Sequence, residues 1–202
     1  MTRIKMCGLR RMEDIAAANE LKPDYVGFVL FPGSRRYIAP EEARKLRAAL
    51  HPEIRAVGVF VDEAPETVAG LLADGTVEIA QLHGREDEAW LARLRRLTAA
   101  PVIRAFRVRG AADIRRAEAS RADAVLLDAG AGEGKTFDWE LLREMGRPYF
   151  LAGGLNPGNV ASAVRALRPY AVDVSTGIET DGRKDIVKMR AFMQAVERTE
   201  ST

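Results

Sequence analysis

Short apolar runs alternate with charged, amphipathic stretches from one end of the chain to the other. Eight of the runs read as strands, at residues 3–7, 24–30, 55–61, 77–82, 102–106, 122–127, 149–152 and 171–174. Helical patterns lie between them, at 11–21, 40–50, 65–73, 86–97, 111–119, 138–145, 157–167 and 184–196. Two of these open on a proline followed by acidic residues (Pro40, Glu41, Glu42; Pro65, Glu66), a good helix start. The segment 86–97 sets Trp90, Leu91, Leu94 and Leu97 on one face. Strict strand–helix alternation predicts a parallel sheet. Eight strands spaced about 24 residues apart predict a compact, single-domain α/β fold, the (β/α)8 TIM barrel, over residues 1–202; an open doubly wound sheet is the alternative. No linker or low-complexity segment divides the chain, and the glycine-rich stretch 129–135 reads as a loop.

In a barrel, successive side chains alternate between the interior and the helix layer, and chemistry gathers at the carboxyl ends of the strands. The first strand then turns Ile4 and Met6 outward and Lys5 and Cys7 inward, with Cys7 at the top. By the same reading Gln81 and His83, Asp128, and Asp173 and Ser175 look inward near the ends of strands four, six and eight. Each has an ordinary alternative. A lone cysteine is commonly a small hydrophobe. Asp128 serves equally well as a loop cap. His83 reads somewhat better as a hydrogen-bonded core histidine, and Asp173 as an ion-pair partner for Lys5. What favours chemistry is that separate strands send different groups to one place.

Composition narrows the setting. The 202 residues are 47% apolar and 30% charged, with a net charge of +2, which gives no reason to expect a nucleic-acid partner. A single cysteine forms no internal disulfide, so a reducing, cytoplasmic setting is expected. The first residues carry no long apolar run, so neither a signal peptide nor membrane attachment is expected. The sequence leaves monomer and homodimer both open.

Small residues follow strands seven and eight, in A-G-G-L-N-P (152–157) and S-T-G-I-E (175–179). Backbone N–H groups approach an anion closely at such residues, and a following helix adds partial positive charge. These two loops are the usual phosphate site of the architecture, so Gly153, Gly154, Ser175, Thr176 and Gly177 are the candidates. Two tight turns are the plainer reading. The run G-E-G-K-T-F resembles part of a nucleotide-binding P-loop, but that motif needs a glycine where residue 129 is Ala.

Taken together these pieces resemble the phosphoribosylanthranilate isomerase family. K-M-C-G-L, G-F-V-L-F-P-G-S-R-R-Y-I, V-G-V-F-V, Q-L-H-G, L-L-D, G-K-T-F-D-W, G-G-L-N-P and V-D-V-S-T-G-I-E occur in the family's order over almost the whole length. The resemblance implies an Amadori rearrangement of N-(5'-phosphoribosyl)anthranilate to a carboxyphenylamino-deoxyribulose 5-phosphate, in tryptophan biosynthesis. It implies Cys7 as general base, Asp128 as general acid and Arg36 against the anthranilate group. It implies the two glycine loops as the phosphate site; Lys5, His83 and Asp173, which face the same interior, are candidates for substrate binding. The partner is a phosphosugar, and neither cofactor nor metal is implied. The chemistry then asks for a thiol pKa lowered, with Lys5 as the neighbouring cation, and a carboxyl pKa raised. Met6 and Thr176 depart from the commoner Ile and Ser, and the loop between Asp128 and Gly134 looks short.

Competing readings are a histidine-pathway isomerase, a non-catalytic phosphosugar-binding barrel and a thiol hydrolase. The first is expected to carry an aspartate where Cys7 stands. The second need not keep both Cys7 and Asp128. The third wants a histidine near the thiol, for which His83 is the barrel candidate.

Overall fold

The structure, a computed structural model, describes residues 1–128, 142 and 145–199. Its order is β1 (Arg3–Cys7), α1 (Met12–Leu21), β2 (Tyr25–Val29), α2 (Pro40–Ala49), β3 (Arg55–Phe60), α3 (Pro65–Ala73), β4 (Ile79–Leu82), α4 (Glu88–Leu97), β5 (Val102–Arg107), α5 (Ala111–Glu118) and β6 (Ala124–Asp128). Then come β7 (Tyr149–Ala152), α6 (Val160–Leu167), β8 (Ala171–Val174), a 3-10 turn at Thr176–Ile178, a hairpin of β9 (Glu179–Thr180) and β10 (Arg183–Lys184), and α7 (Ile186–Glu197). All eight expected strands form and close into one parallel barrel, with β1 paired to both β2 and β8. Closure removes the sheet edges and rules out the open alternative. The helix expected at 138–145, the loop at 129–135 and the P-loop-like run lie outside the described residues, apart from Leu142 and Met145.

Local chemistry explains most of the boundaries. Proline stands at the first position of α2 and α3, where its missing N–H costs nothing. Asp87 caps α4 by accepting from the Trp90 amide at 2.8 Å, and Asp185 caps α7 by accepting from the Val187 amide at 2.9 Å. The helix expected at 157–167 starts only at Val160. The Asn159 side chain accepts from the Asn156 amide at 2.8 Å, and Asn156 Oδ1 accepts from the Gly158 amide at 2.8 Å, holding those residues in a turn. On α4 Leu91 and Leu94 are buried as expected, but Leu97 is half exposed. The next residue, Thr98, already leaves the helix.

The hairpin was not anticipated. Its turn is Asp181-Gly182, both with positive φ (50° and 72°), which suits a two-residue connection between twisted strands. It carries Lys184 back beneath the end of β8.

Apolar side chains fill two spaces. One lies between the sheet and the helices, where Ile4, Met6, Leu46, Leu94, Val174 and Phe192 belong to one continuous cluster. The other is inside the barrel, where Tyr25, Val57, Ile79, Ile103, Leu126 and Phe150 form the lower plug. Above that plug the interior turns polar, with Lys5, Gln81 and Asp173 all buried.

Candidate active site

At the carboxyl ends of the strands a cavity of about 690 Å³ opens over this polar layer. Cys7, Arg36, His83, Asp128, Asp173 and the glycine loops all line it. Lys5 does not; it is fully buried one layer down.

The sulfur side is built by β1, β2 and β8. Cys7 is 8% exposed and packs against Val29 and Val59. Gly27 stands opposite it in the β1–β2 register, where a Cβ would come within 2.7 Å of the sulfur. Lys5 Nζ donates to Asp173 Oδ1 at 2.9 Å, so the plainer reading of Asp173 as its partner is observed. Burial alone would lower the Lys5 pKa, but Asp173 and the Cys7 sulfur outweigh it and hold the ammonium above its ordinary value.

The thiol corrects an expectation. Its pKa is raised, not lowered: burial pushes it up, and Asp173 offsets much of what Lys5 does to bring it down. Lys5 still draws the thiol pKa down, but burial and Asp173 together outweigh it.

Sequence reasoning did not assign Glu179 and Lys184. Glu179 accepts from Arg36 through both oxygens, from Nε at 2.6 Å and from a terminal nitrogen at 3.0 Å, fixing the guanidinium plane at the cavity wall. The same guanidinium donates to Thr176 Oγ1 at 2.8 Å. Lys184 Nζ donates to Glu179 Oε1 at 2.8 Å and to the Ser175 carbonyl at 3.0 Å. The Glu179 carboxylate loses water by burial, yet Arg36 and Lys184 hold its pKa down at about 2. Burial lowers the pKa of Lys184, with Glu179 resisting. The D-G dipeptide before Arg183 signals the tight turn that carries Lys184, though not where its side chain lands.

The loops after β7 and β8 interlock. A Cβ on Gly177 would sit 1.9 Å from the Leu155 carbonyl oxygen, so only glycine lets the two backbones approach this closely. Gly153 and Gly154 both have positive φ (96° and 66°), bending the seventh loop over the cavity. The Ser175 hydroxyl is already engaged, donating to the Cys7 carbonyl at 3.0 Å.

The carboxyl side is more open. His83 is 38% and Asp128 29% exposed at their side chains, with His83 Nε2 3.8 Å from Asp128 Oδ2. His83 is therefore not a core residue, contrary to the reading slightly favoured from the sequence. Its Nδ1 lies 3.0 Å from Gln81 Nε2, and Gln81 is buried. No group of three or more His, Cys, Asp or Glu side chains suited to a metal ion occurs among the described residues. No helix among them is long and apolar enough to cross a membrane.

Comparison with known proteins gives a consistent picture. The family model described as N-(5'phosphoribosyl)anthranilate (PRA) isomerase matches residues 4–195. The N-(5'-phosphoribosyl)anthranilate isomerase of Endomicrobium trichonymphae is 45% identical over 194 residues, covering 94% of this chain and 95% of that protein. The crystal structure of phosphoribosyl anthranilate isomerase from Thermotoga maritima superposes with a TM-score of 0.89 at 39% identity, covering 98% and 100% of the two chains. A phosphoribosyl anthranilate isomerase structure in complex with reduced 1-(o-carboxyphenylamino)-1-deoxyribulose 5-phosphate gives 0.88 at the same identity and coverage.

Proposed function

Because the chain belongs to the N-(5'-phosphoribosyl)anthranilate isomerase family, we propose that Cys7 and Asp128 carry its proton transfers across the cavity. The activity itself is the Amadori rearrangement of N-(5'-phosphoribosyl)anthranilate to 1-(2-carboxyphenylamino)-1-deoxyribulose 5-phosphate in tryptophan biosynthesis. One observation carries the assignment: the thiol, the carboxyl, the Arg36 guanidinium and both glycine loops face a single space of about 690 Å³.

The phosphate sits against Gly153, Gly154, Thr176 and Gly177, which line the cavity, with Ser175 contributing its backbone rather than its hydroxyl. The anthranilate carboxylate meets Arg36, whose plane Glu179 has already set. Asp128 gives its proton to the furanose ring oxygen, the C1–O bond breaks, and the open sugar is a protonated imine. The Cys7 thiolate then takes the proton from C2, leaving an enolamine that tautomerises to the ketone. Asp173 lines the floor, keeping Lys5 charged and in place beneath the sulfur. His83 lies beside the acid and faces the sugar.

A thiol held above its ordinary pKa is less often ionised, but its thiolate is the stronger base when formed. The cationic imine both acidifies C2–H and attracts the thiolate, so the base meets its strongest counter-charge at the step that needs it. Replacing Cys7 with Ala, or Asp128 with Asn, is expected to cost ~10²–10⁴ in kcat with the fold intact. Loss of substrate fluorescence measures this; a Cys7→Ala protein turning over at the wild-type rate would end the assignment. The compartment that goes with this reading is the cytoplasm, and light scattering on the purified protein decides between monomer and homodimer.

A further inference from the structure

Two buried cations lie close to Cys7, Lys5 on the same strand and Lys184 linked through Ser175 to the Cys7 carbonyl, and their surroundings differ. Lys5 is its neighbour on β1, but its charge is balanced by Asp173 on β8 at 2.9 Å. Lys184, on β10, shares its acid. Glu179 accepts from Lys184 at 2.8 Å, from Arg36 at 2.6 Å and 3.0 Å, and from Arg35 at 3.3 Å. One carboxylate thus faces three cations and leaves surplus positive charge. Arg35 is 63% exposed, so water screens it, whereas the Lys184 side chain is 2% exposed and acts through protein. Lys184 Nζ also donates to the carbonyl of Ser175, whose hydroxyl in turn donates to the carbonyl of Cys7.

We infer that Lys184 is a positioning residue for the proton-abstraction step, adding to Lys5 a second buried positive charge that favours the Cys7 thiolate. The inference deepens the assignment of Cys7 as base and rests on it. The other groups around the sulfur fit this division. Gly27 and Val29 of β2 and Val59 of β3 bring no charge. His83 and Asp128 belong to the opposite wall. Lys5 and Lys184 both lower the Cys7 pKa, against burial and Asp173, which raise it.

Cys7 is the only cysteine, so the rate of alkylation by iodoacetamide reports it alone. In the full-length protein, Lys184→Met and the donor-keeping Lys184→Gln are expected to raise the pH midpoint of alkylation by about one unit, roughly tenfold slower reaction below it. Lys184→Arg is expected to restore the midpoint. The joint replacement of Lys5→Met with Asp173→Leu, which removes a balanced pair, is expected to move it less. The acid limb of kcat/KM should follow the alkylation midpoint in each variant. A purely structural role for Lys184 would lower the melting temperature and leave the midpoint where it was; that result in a folded Lys184→Gln protein overturns the inference. So does a larger shift from the joint replacement. Failure of the base assignment shows separately, as turnover surviving in Cys7→Ala.

Discussion

The two walls of the mouth are built on opposite plans. The sulfur wall buries its charges and ties each of them down: Lys5 to Asp173, Lys184 to Glu179 and Ser175, and Arg36 to Glu179 and Thr176. The carboxyl wall leaves His83 and Asp128 partly in solvent, with 3.8 Å between His83 Nε2 and Asp128 Oδ2. A proton taken from carbon needs a base whose surroundings do not rearrange, because carbon acids are weak and the barrier leaves little margin. A proton given to a ring oxygen goes to an atom that already hydrogen-bonds, and its donor must be reloaded from water each cycle. Fixed charge on one side and access on the other match those two needs.

Several substitutions would break or sharpen this contrast. The largest effect on stability is expected from Lys5→Met, which leaves Asp173 charged, buried and alone; losing one member of such a pair costs about 3–5 kcal/mol. Urea denaturation measures it, and a variant as stable as wild type would mean that the sulfur wall is not held by its charges. Gly27→Ala comes next. Its Cβ would press on the Cys7 sulfur from 2.7 Å, and overpacking of this kind costs ~1–3 kcal/mol. It should also displace the thiol, lowering kcat more than it raises KM.

The acid limb of stability gives a smaller, graded signal. The Glu179 pKa is about 2 in the folded protein against an ordinary 4.5. A depressed folded pKa means stability that is fully present above about pH 4.5 and is lost as pH falls toward 2. Between those limits the melting temperature of Glu179→Gln should therefore fall less steeply with pH than that of wild type; parallel curves would count against the network. The smallest effect is expected on the carboxyl wall. His83→Ala, at an exposed side chain, should change stability by less than ~0.5 kcal/mol while still lowering turnover.

How far the sequence foretold all this depends on the range of each interaction. The strands were legible because alternation of apolar residues is local: β1, β7 and β8 fall where the pattern put them, and the others within two residues. The inward set was legible for the same reason, since period two carries from Lys5 to Cys7 and from Gln81 to His83. The start of α6 was misread because Asn156 and Asn159 bond to the backbone and defer the helix, a contest that apolar spacing does not register. The direction of the thiol's pKa was misread for a longer-range reason. Cys7 and Lys5 are two residues apart, but the group that balances Lys5 lies 168 residues along the chain. Lys184 escaped notice although Asp181-Gly182 announced a tight turn, because nothing local says where a hairpin will lay its last side chain.

The seam of the barrel has a temporal consequence. Among the eight barrel strands β1 is made first and β8 last, and they meet in register from Arg3 against Ala171 to Met6 against Val174. Cys7 therefore leaves the ribosome long before Asp173 and Lys184, whose charges lie around it. Until then the nascent chain carries an uncovered thiol and no half-site, so competence arises in one late event rather than growing with length.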